Sequence, residues 1–187
     1  RYAFREEPGR EEVLFFVGDL TWPPNAEGIR WFCARVWPAL RRLRPSARAE
    51  ILGRGGRPPM EQRTLAGISF LGEGDDTRPH WARAAVAVVP LLAGGGTRLK
   101  ILEAAACGVP VVSTPVGAEG LNFTAGSEIL LAQGAEEFAG AVAGLLADPE
   151  ARRSQAAAAR RRVEMFSDWR RIAADFAREL SRRASEK

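Results

Sequence analysis

The chain has few of the features that mark membrane-spanning, metal-binding or disulfide-bonded proteins. Its longest apolar runs, such as residues 84–93, are far shorter than the roughly 20 residues that a transmembrane helix needs. The two cysteines, Cys33 and Cys107, lie far apart in apolar helical contexts, and a single histidine cannot complete a Cys/His metal cluster. We therefore expect buried free thiols in an ordinary soluble globular domain, as the 27% of charged residues also indicates.

No signal peptide is visible at the N-terminus, and the chain begins with Arg1 in place of Met. We expect a trimmed piece of a longer cytoplasmic protein, with residues 1–12 as a polar entry segment and residues 13–187 as one domain. The length of 187 residues suits one well-buried domain and is short for two.

Positive charge is concentrated at the C-terminus. Residues 150–187 hold 11 arginines and lysines against 6 acidic residues, whereas the whole chain has a net charge of +4. This pattern is typical of a solvated helix face, and contact with an anionic inner-membrane surface is the alternative. A nucleic-acid partner is disfavoured because the basic residues have no interleaved exposed aromatics and no reader motif.

Short apolar runs alternate with helical patterns along most of the chain. Strands are predicted at residues 13–17, 49–52, 68–71, 85–89, 109–112 and 128–131. Helices are predicted at residues 26–43, 59–65, 79–83, 97–107 and 136–146, with two more starting at Pro149 and Ser167. The alternation predicts an α/β fold with a doubly wound, Rossmann-like parallel sheet of about six strands and C-terminal helices. In such sheets ligands bind beyond the carboxyl ends of the strands, where the strand order reverses.

Two features of the predicted helices lead to further structural expectations. Asn25 is a suitable N-cap for the first helix, and Pro38 is expected to kink or interrupt it. In the last helix an apolar stripe that includes Ile172, Phe176 and Leu180 predicts either core packing or contact with a second domain.

The strongest candidate site follows the apolar strand at residues 85–89. Three glycines at residues 94–96 form a loop without side chains, and a predicted helix begins near Thr97. The free N–H groups and the positive dipole end of a helix form an anion site, to which Arg98 and Lys100 add cationic donors. Glu103 could accept hydrogen bonds from the two hydroxyls of a ribose. On these residues alone, a phosphate site and a plain flexible turn remain equally open.

The run from Gly95 to Pro110 resembles the E-x7-E region of the group 1 glycosyltransferases, which usually reads E-x-F-G-x-x-x-x-E-A-M-A-x-G-x-P-V-V. The resemblance extends in pattern from Val13 to the Phe-Ser-Asp-Trp segment that ends at Trp169. It implies one lobe of the two-lobed GT-B fold, with residues 13–187 as the C-terminal donor-binding domain and the N-terminal acceptor lobe absent.

Carried over position by position, the resemblance implies that Glu103 binds the ribose and that the turn at Gly96, Thr97 and Arg98 holds the phosphates. The first glutamate of the motif is replaced by Gly95, which puts recognition of the donor sugar in question. The family's cations after the first strand are also missing, and we hypothesise that Arg98 and Lys100 substitute for them. The implied donor-binding set is Gly18, Gly72, Glu73, Gly95, Gly96, Thr97, Arg98, Lys100 and Glu103, with Glu103, Arg98 and Lys100 as the catalytic candidates.

The implied activity is glycosyl transfer from a nucleotide sugar to an acceptor held by the missing lobe, so the isolated chain should not turn over efficiently. No cofactor and no metal are implied. Two alternatives from other classes are a sugar-nucleotide epimerase or hydrolase with the same nucleotide site, and a non-catalytic nucleotide-binding or interaction domain. Glycine at position 95 favours the latter.

Other polar residues are weaker candidates. His80 follows Pro79 at the start of a short predicted helix and has no obvious carboxylate partner, so an exposed or capping role is expected. Asp19, Asp75 and Asp76 do not have the spacing of a metal site.

Overall fold

A computed structural model describes residues 11–55, 66–166 and 169–185. In this part of the chain six parallel strands form one sheet in the order β3-β2-β1-β4-β5-β6. The strands are β1 Val13–Val17, β2 Arg48–Leu52, β3 Ile68–Gly72, β4 Val86–Val89, β5 Val111–Ser113 and β6 Leu130–Leu131. The predicted doubly wound sheet is confirmed, and its strand order reverses between β1 and β4.

Helices cover both faces of the sheet. They are α1 Pro23–Trp31, α2 Trp37–Leu43, α3 Arg78–Arg83, α4 Leu99–Cys107, α5 Pro115–Ala118, α6 Ala135–Ala147, α7 Pro149–Phe166 and α8 Trp169–Ser185. The predicted helix at residues 59–65, most of the entry segment and the Ser167 cap lie outside the described residues.

Alternating side chains of the strands build two separate apolar cores. Leu14 and Phe16 of β1 pack on one face with Phe32 and Phe138. Phe15 points to the other face, where its ring meets the Trp81 ring edge-on at 4.6 Å. Strands β1, β4 and β5 are buried on both faces and read as continuous apolar runs, which is why the sequence predicts them well.

The first helix differs from its prediction. It begins at Pro23, so Asn25 lies inside its first turn and is not the N-cap, a position held by Trp22. Proline is favoured in the first helical positions because its missing N–H has no intrahelical role there. The predicted interruption near Pro38 is confirmed: a π-helical turn at Phe32–Val36 joins α1 to α2, and the Trp37 N–H donates to the Phe32 carbonyl.

The start of α4 also differs from its prediction. Arg98 adopts the left-handed conformation, with φ of 51°, and therefore cannot continue a helix from Thr97. The helix begins at Leu99, two residues later than predicted. Strands β5 and β6 begin two residues later than predicted, and the short α5 was not predicted because it spans four residues.

Some arginines of the C-terminal helices pack against the rest of the domain, and others face solvent. The buried Arg152 donates to the carbonyls of Leu145 and Leu146 at the end of α6, and Arg160 donates to the Ala106 carbonyl in α4. The expected solvated basic face is therefore found only in part on α7: Arg153 and Arg161 are exposed, whereas Arg152 is buried against helix-end carbonyls that need donors.

The stripe on α8 does not enter the core of this domain. Ile172, Phe176 and Leu180 are 40%, 64% and 53% exposed. Among the described residues, none of the helices combines the length and the apolar character that crossing a lipid bilayer requires.

Candidate functional site

A cavity of about 630 Å³ opens at the carboxyl ends of β1 and β4, where the strand order reverses. This is the place at which doubly wound sheets bind their ligands. Three stretches of chain surround it: the β1–α1 loop, the loop before α3, and the glycine loop with the first turns of α4. The lining residues are Val17, Gly18, Asp19, Trp22, Asn25, Thr77, Leu91, Gly95, Gly96, Thr97, Arg98, Leu99, Lys100 and Glu103.

The glycine loop gives a ligand direct access to the start of α4. Gly94 and Gly96 have φ of 99° and 121°, conformations that favour glycine. A Cβ atom at Gly95 or Gly96 would meet nothing within 4 Å, so this side of the cavity is open. The first N–H groups of a helix have no intrahelical partners. The start of α4 therefore presents donors and a positive dipole end to the cavity.

Arg98 braces this loop. Its guanidinium donates to the carbonyls of Gly95 at 3.1 Å, Gly94 at 2.5 Å and Val116 at 2.8 Å. The side chain is buried and links the glycine loop to α5. Three of the five guanidinium N–H groups are thus engaged by carbonyl oxygens, and the expected contact of Arg98 with a phosphate stays a prediction.

Lys100 brings a cation into the cavity from the first turn of α4. Its Nζ donates to Oδ1 of Asn25 at 2.8 Å and lies 4.1 Å from the centroid of the Phe16 ring, a cation–π distance. Burial of the ammonium lowers the pKa of Lys100 to about 7, and the nearby charge of Arg98 acts in the same direction. An anion bound beside this side chain would favour its charged form.

Glu103 lies one turn further along α4 and is half-buried at the cavity wall. Its separation from Leu99 is four residues, or about 6 Å along the helix axis. The carboxylate therefore lies at the same wall as Lys100 but farther from the helix start. The wall thus has a cationic region near the helix start and a separate region that accepts hydrogen bonds.

Asp19 anchors the loop after β1. Its carboxylate accepts from the Thr21 N–H at 2.9 Å, from the Thr21 hydroxyl at 2.6 Å and from Arg54 at 2.7 Å. The hydrogen bond from Arg54, followed by those from Thr21, holds the pKa of Asp19 far below its usual value. Within the described ranges no group of three or more His, Cys, Asp or Glu residues could hold a metal ion.

Two predicted site residues lie away from the cavity. Gly72 is the last residue of β3 and Glu73 follows it. Strand β2 separates β3 from β1, and neither residue lines the cavity wall. Gly18, Gly95, Gly96, Thr97, Arg98, Lys100 and Glu103 are all brought to the wall. Thr77, from the loop after β3, lines it in their place.

His80 has the carboxylate partner that the sequence did not reveal. Its Nδ1 lies 3.1 Å from Oε2 of Glu50, in the middle of β2, and its ring stacks on Phe15 at 5.3 Å. Burial alone would raise the pKa of Glu50. Hydrogen bonds from His80 and Arg83 lower that pKa by more, so its net value lies below the usual one. The expected exposed or capping role is wrong, and the pair lies outside the cavity lining.

Asn25, Trp22 and Leu91 are among the other wall residues that sequence reasoning missed. Asn25 was assigned to capping, although the two prolines before it already marked an earlier helix start. Trp22, which is 41% exposed, stands at the rim beside Gly94, where a Cβ atom would lie 3.1 Å from the indole. No local pattern marks Leu91 as part of the site.

Comparison with known protein families shows which family this chain belongs to. The family described as "Glycosyl transferases group 1" matches residues 11–148, which is well over half of the chain. The chain belongs to the group 1 glycosyltransferases. The GT-B resemblance inferred from the motif at residues 95–110 is thereby confirmed, and the six-stranded parallel sheet agrees with it.

A curated relative agrees with this membership, and solved structures share the fold. The chain is 32% identical to the glycogen synthase of Mycobacterium tuberculosis over 184 residues, which cover 91% of this chain and 42% of the relative. Staphylococcus aureus TarM, solved with UDP, matches with a TM-score of 0.77 and 12% identity over 95% of this chain and 37% of its own. Anabaena HepE, solved with UDP-glucose, matches with a TM-score of 0.72 and 20% identity over 91% and 49%.

The matches cover this chain almost completely but their own chains only in part. The chain spans 35% and 42% of the length of two curated relatives, and 37% and 49% of the two structures. It therefore corresponds to less than half of each of these proteins.

Proposed function

We propose that this chain is the donor-binding domain of a group 1 glycosyltransferase and that the cavity between β1 and β4 binds a nucleoside-diphosphate sugar. The observation that carries the proposal is the position of Lys100 and Glu103 on one wall of a cavity that opens at the start of α4. A cation and free helix N–H groups suit a diphosphate, and a carboxylate about one helical turn away suits a ribose diol.

The positive charges at the cavity suit the release of the nucleotide as a leaving group. In glycosyl transfer the bond between the anomeric carbon and the diphosphate oxygen breaks, and negative charge develops on the leaving phosphate. The α4 dipole and the Lys100 ammonium lie where they can stabilise that charge. Fixed donors of this kind act without reorganisation, so they stabilise the transition state more than mobile water does.

We propose UDP as the nucleotide carrier. The solved structures of TarM and HepE contain UDP and UDP-glucose, and their folds superpose on nearly the whole of this chain. Thr77 and Leu91 provide a polar and an apolar contact on the remaining wall, where a base would lie.

A complete transferase needs an acceptor site as well. Because this chain matches less than half of its relatives, we propose that a further lobe holds the acceptor and receives its hydroxyl proton during transfer. We further propose that the exposed stripe of Ile172, Phe176 and Leu180 on α8 packs against that lobe. The isolated chain should then bind donor but transfer sugar inefficiently.

A membrane surface is the second candidate partner for α8. The helix also carries exposed arginines away from the stripe, including Arg178 and Arg182. Co-sedimentation with vesicles of phosphatidylglycerol, against vesicles of phosphatidylcholine alone, separates the two. Binding only to the anionic vesicles favours the membrane. The two buried free thiols agree with a cytoplasmic location.

Thermal stability in the presence of nucleotides tests the donor proposal. A panel of UDP, GDP, ADP and their glucose conjugates should raise the melting temperature of this chain, with UDP compounds giving the largest shift. No shift with any nucleotide would favour a non-catalytic interaction domain. Release of free sugar or of an epimer from UDP-sugar by the isolated chain would favour the hydrolase or epimerase alternative.

A further inference from the structure

Asn25 is a buried polar side chain whose two functional atoms are both engaged. It is 5% exposed, its Nδ2 donates to the Asp19 carbonyl at 2.8 Å, and its Oδ1 accepts from Lys100 Nζ at 2.8 Å. One side chain thus joins the β1–α1 loop, the first turn of α1 and the first turn of α4. Buried amides are retained where each of their hydrogen bonds is made.

The carboxyl end of β1 leaves room for this contact. A Cβ atom at Gly18 would lie 2.8 Å from both Asn25 Nδ2 and Lys100 Nζ. Gly18 does not have a left-handed φ. Its lack of a side chain is therefore needed to leave space and not to allow an unusual backbone conformation. The pair therefore occupies the volume that a residue at position 18 would fill.

The lysine stem is held on its other side by Phe16. The 4.1 Å separation of Nζ from the ring centroid fixes the ammonium between an aromatic face and an amide oxygen. The ring and the amide oxygen stabilise the cation. They leave at least one of the three ammonium N–H groups of Lys100 without a partner among these two neighbours. The remaining direction is toward the cavity, which Lys100 lines.

We propose that Asn25 is a positioning residue that aims the Lys100 ammonium at the diphosphate of the donor, an inference that rests on the proposed function. Asn25 acts through Lys100 and does not itself carry charge to the ligand. The pair thereby supplies, from α1 and α4 together, the cation that the β1–α1 loop lacks.

A double-mutant cycle tests this coupling. Calorimetric titration with UDP would compare the unaltered chain with Asn25→Ala, Lys100→Met and the double variant. Methionine keeps the apolar contact with Phe16 and removes the charge. Lys100→Met should weaken UDP binding by about 10- to 100-fold and Asn25→Ala by about tenfold, since hydrogen bonds to charged groups are the stronger class. In the Lys100→Met background, Asn25→Ala should cost less than about twofold.

Additive losses in the cycle would overturn the inference while leaving the nucleotide site intact. Absence of UDP binding by the unaltered chain would overturn the proposed function and, with it, this inference. If Asn25→Ala does not fold, Asn25→Asp keeps the size of the side chain. Its carboxylate should neutralise Lys100 and weaken UDP binding as strongly as Lys100→Met does, and unchanged binding would overturn the inference.

A second readout observes Lys100 directly. The chain contains only two lysines, Lys100 and Lys187, so lysine labelled with ¹³C at Cε gives two NMR signals that Lys100→Met assigns. UDP should raise the pKa of Lys100 by about one unit or more in the unaltered chain and by less in Asn25→Ala. The other charges acting on Lys100 are Arg98, at the N-cap of α4, and Glu103 within it, while Asp19 lines the same cavity. Equal shifts in both proteins would contradict a positioning role.

Discussion

Arg98 Nη2 donates to the carbonyl oxygen of Val116 at 2.8 Å and so ties the glycine loop to α5. The same guanidinium holds two carbonyls of its own loop. Arg98 has a left-handed backbone, which costs free energy in a residue with a side chain. The three hydrogen bonds offset that cost, and the cavity wall at the start of α4 depends on them.

Replacement of Arg98 by Met should therefore loosen the loop. We expect a loss of about 2–3 kcal/mol in the free energy of unfolding, because three carbonyls lose a charged donor that is itself buried. Urea denaturation measures this change. Arg161→Met is the control, since Arg161 is exposed on α7 and its loss should stay within about 0.5 kcal/mol. Equal stability of the two variants would show that Arg98 does not brace the loop.

Gly95→Glu should be tolerated and should strengthen binding of the sugar. Space is open around this position, and its backbone does not require glycine. A glutamate here restores the first acid of the family motif. We expect UDP-glucose affinity to rise relative to UDP, measured by calorimetry, with little change in melting temperature.

Gly94→Ala is the matched comparison for that variant. Gly94 has a φ of 99°, and a Cβ atom there would lie 2.9 Å from Pro24. We expect a loss of about 1–3 kcal/mol in stability. If Gly95→Glu were as destabilising as Gly94→Ala, the open space at residue 95 would not exist in solution.

The glycines of two helices should respond to alanine in opposite directions. A Cβ atom at Gly28 in α1 would lie 2.6 Å from the Pro90 carbonyl oxygen, so Gly28→Ala should destabilise the fold by about 1–3 kcal/mol. Gly140 in α6 has open space, and Gly140→Ala should stabilise by about 0.5–1 kcal/mol. Chemical denaturation of both variants measures the contrast. Stabilisation by Gly28→Ala would contradict the close packing of α1 on the end of β4.

Lys100 should make stability depend on pH. Its pKa falls from 10.5 to about 7 in the folded chain, so the unfolded state binds more protons between these values. The free energy of unfolding should therefore rise with pH above about 7. The gain should be of the order of 1–3 kcal/mol, less than the full shift implies, because solvent screens a side chain that is only half-buried.

Urea denaturation between pH 7 and 8.5 measures this slope below the titration of unfolded cysteine, whose ordinary pKa is 9.0. The comparison with Lys100→Met isolates the contribution of the lysine. A slope of equal size in Lys100→Met would assign it to other groups.

Most of the fold could be predicted from the sequence because β1 and β4 are buried on both faces and read as apolar runs. The start of α4 could not, since nothing local places Arg98 in a left-handed conformation. The contact of Asn25 with Lys100 joins residues 75 positions apart, and that of Glu50 with His80 joins residues 30 apart. Such pairs depend on the order of the strands, which local patterns do not reveal.

Glu103 and Lys100 line the cavity together because both follow the glycine loop on one helix, and their roles in donor binding stay predictions. The placement of Gly72 and Glu73 at the site was not reproduced, since β2 separates β3 from β1. Positions carried by a continuous motif thus transfer better than positions inferred from strand ends alone.

The donor site is tested by calorimetric titration with UDP and with 2′-deoxy-UDP into the unaltered chain and into Glu103→Ala. We expect the unaltered chain to bind UDP more tightly than 2′-deoxy-UDP. We expect Glu103→Ala to bind both weakly and about equally, because the carboxylate that accepts from the ribose is gone. Equal binding of UDP by the two proteins, or no binding by either, would contradict the donor site at the start of α4.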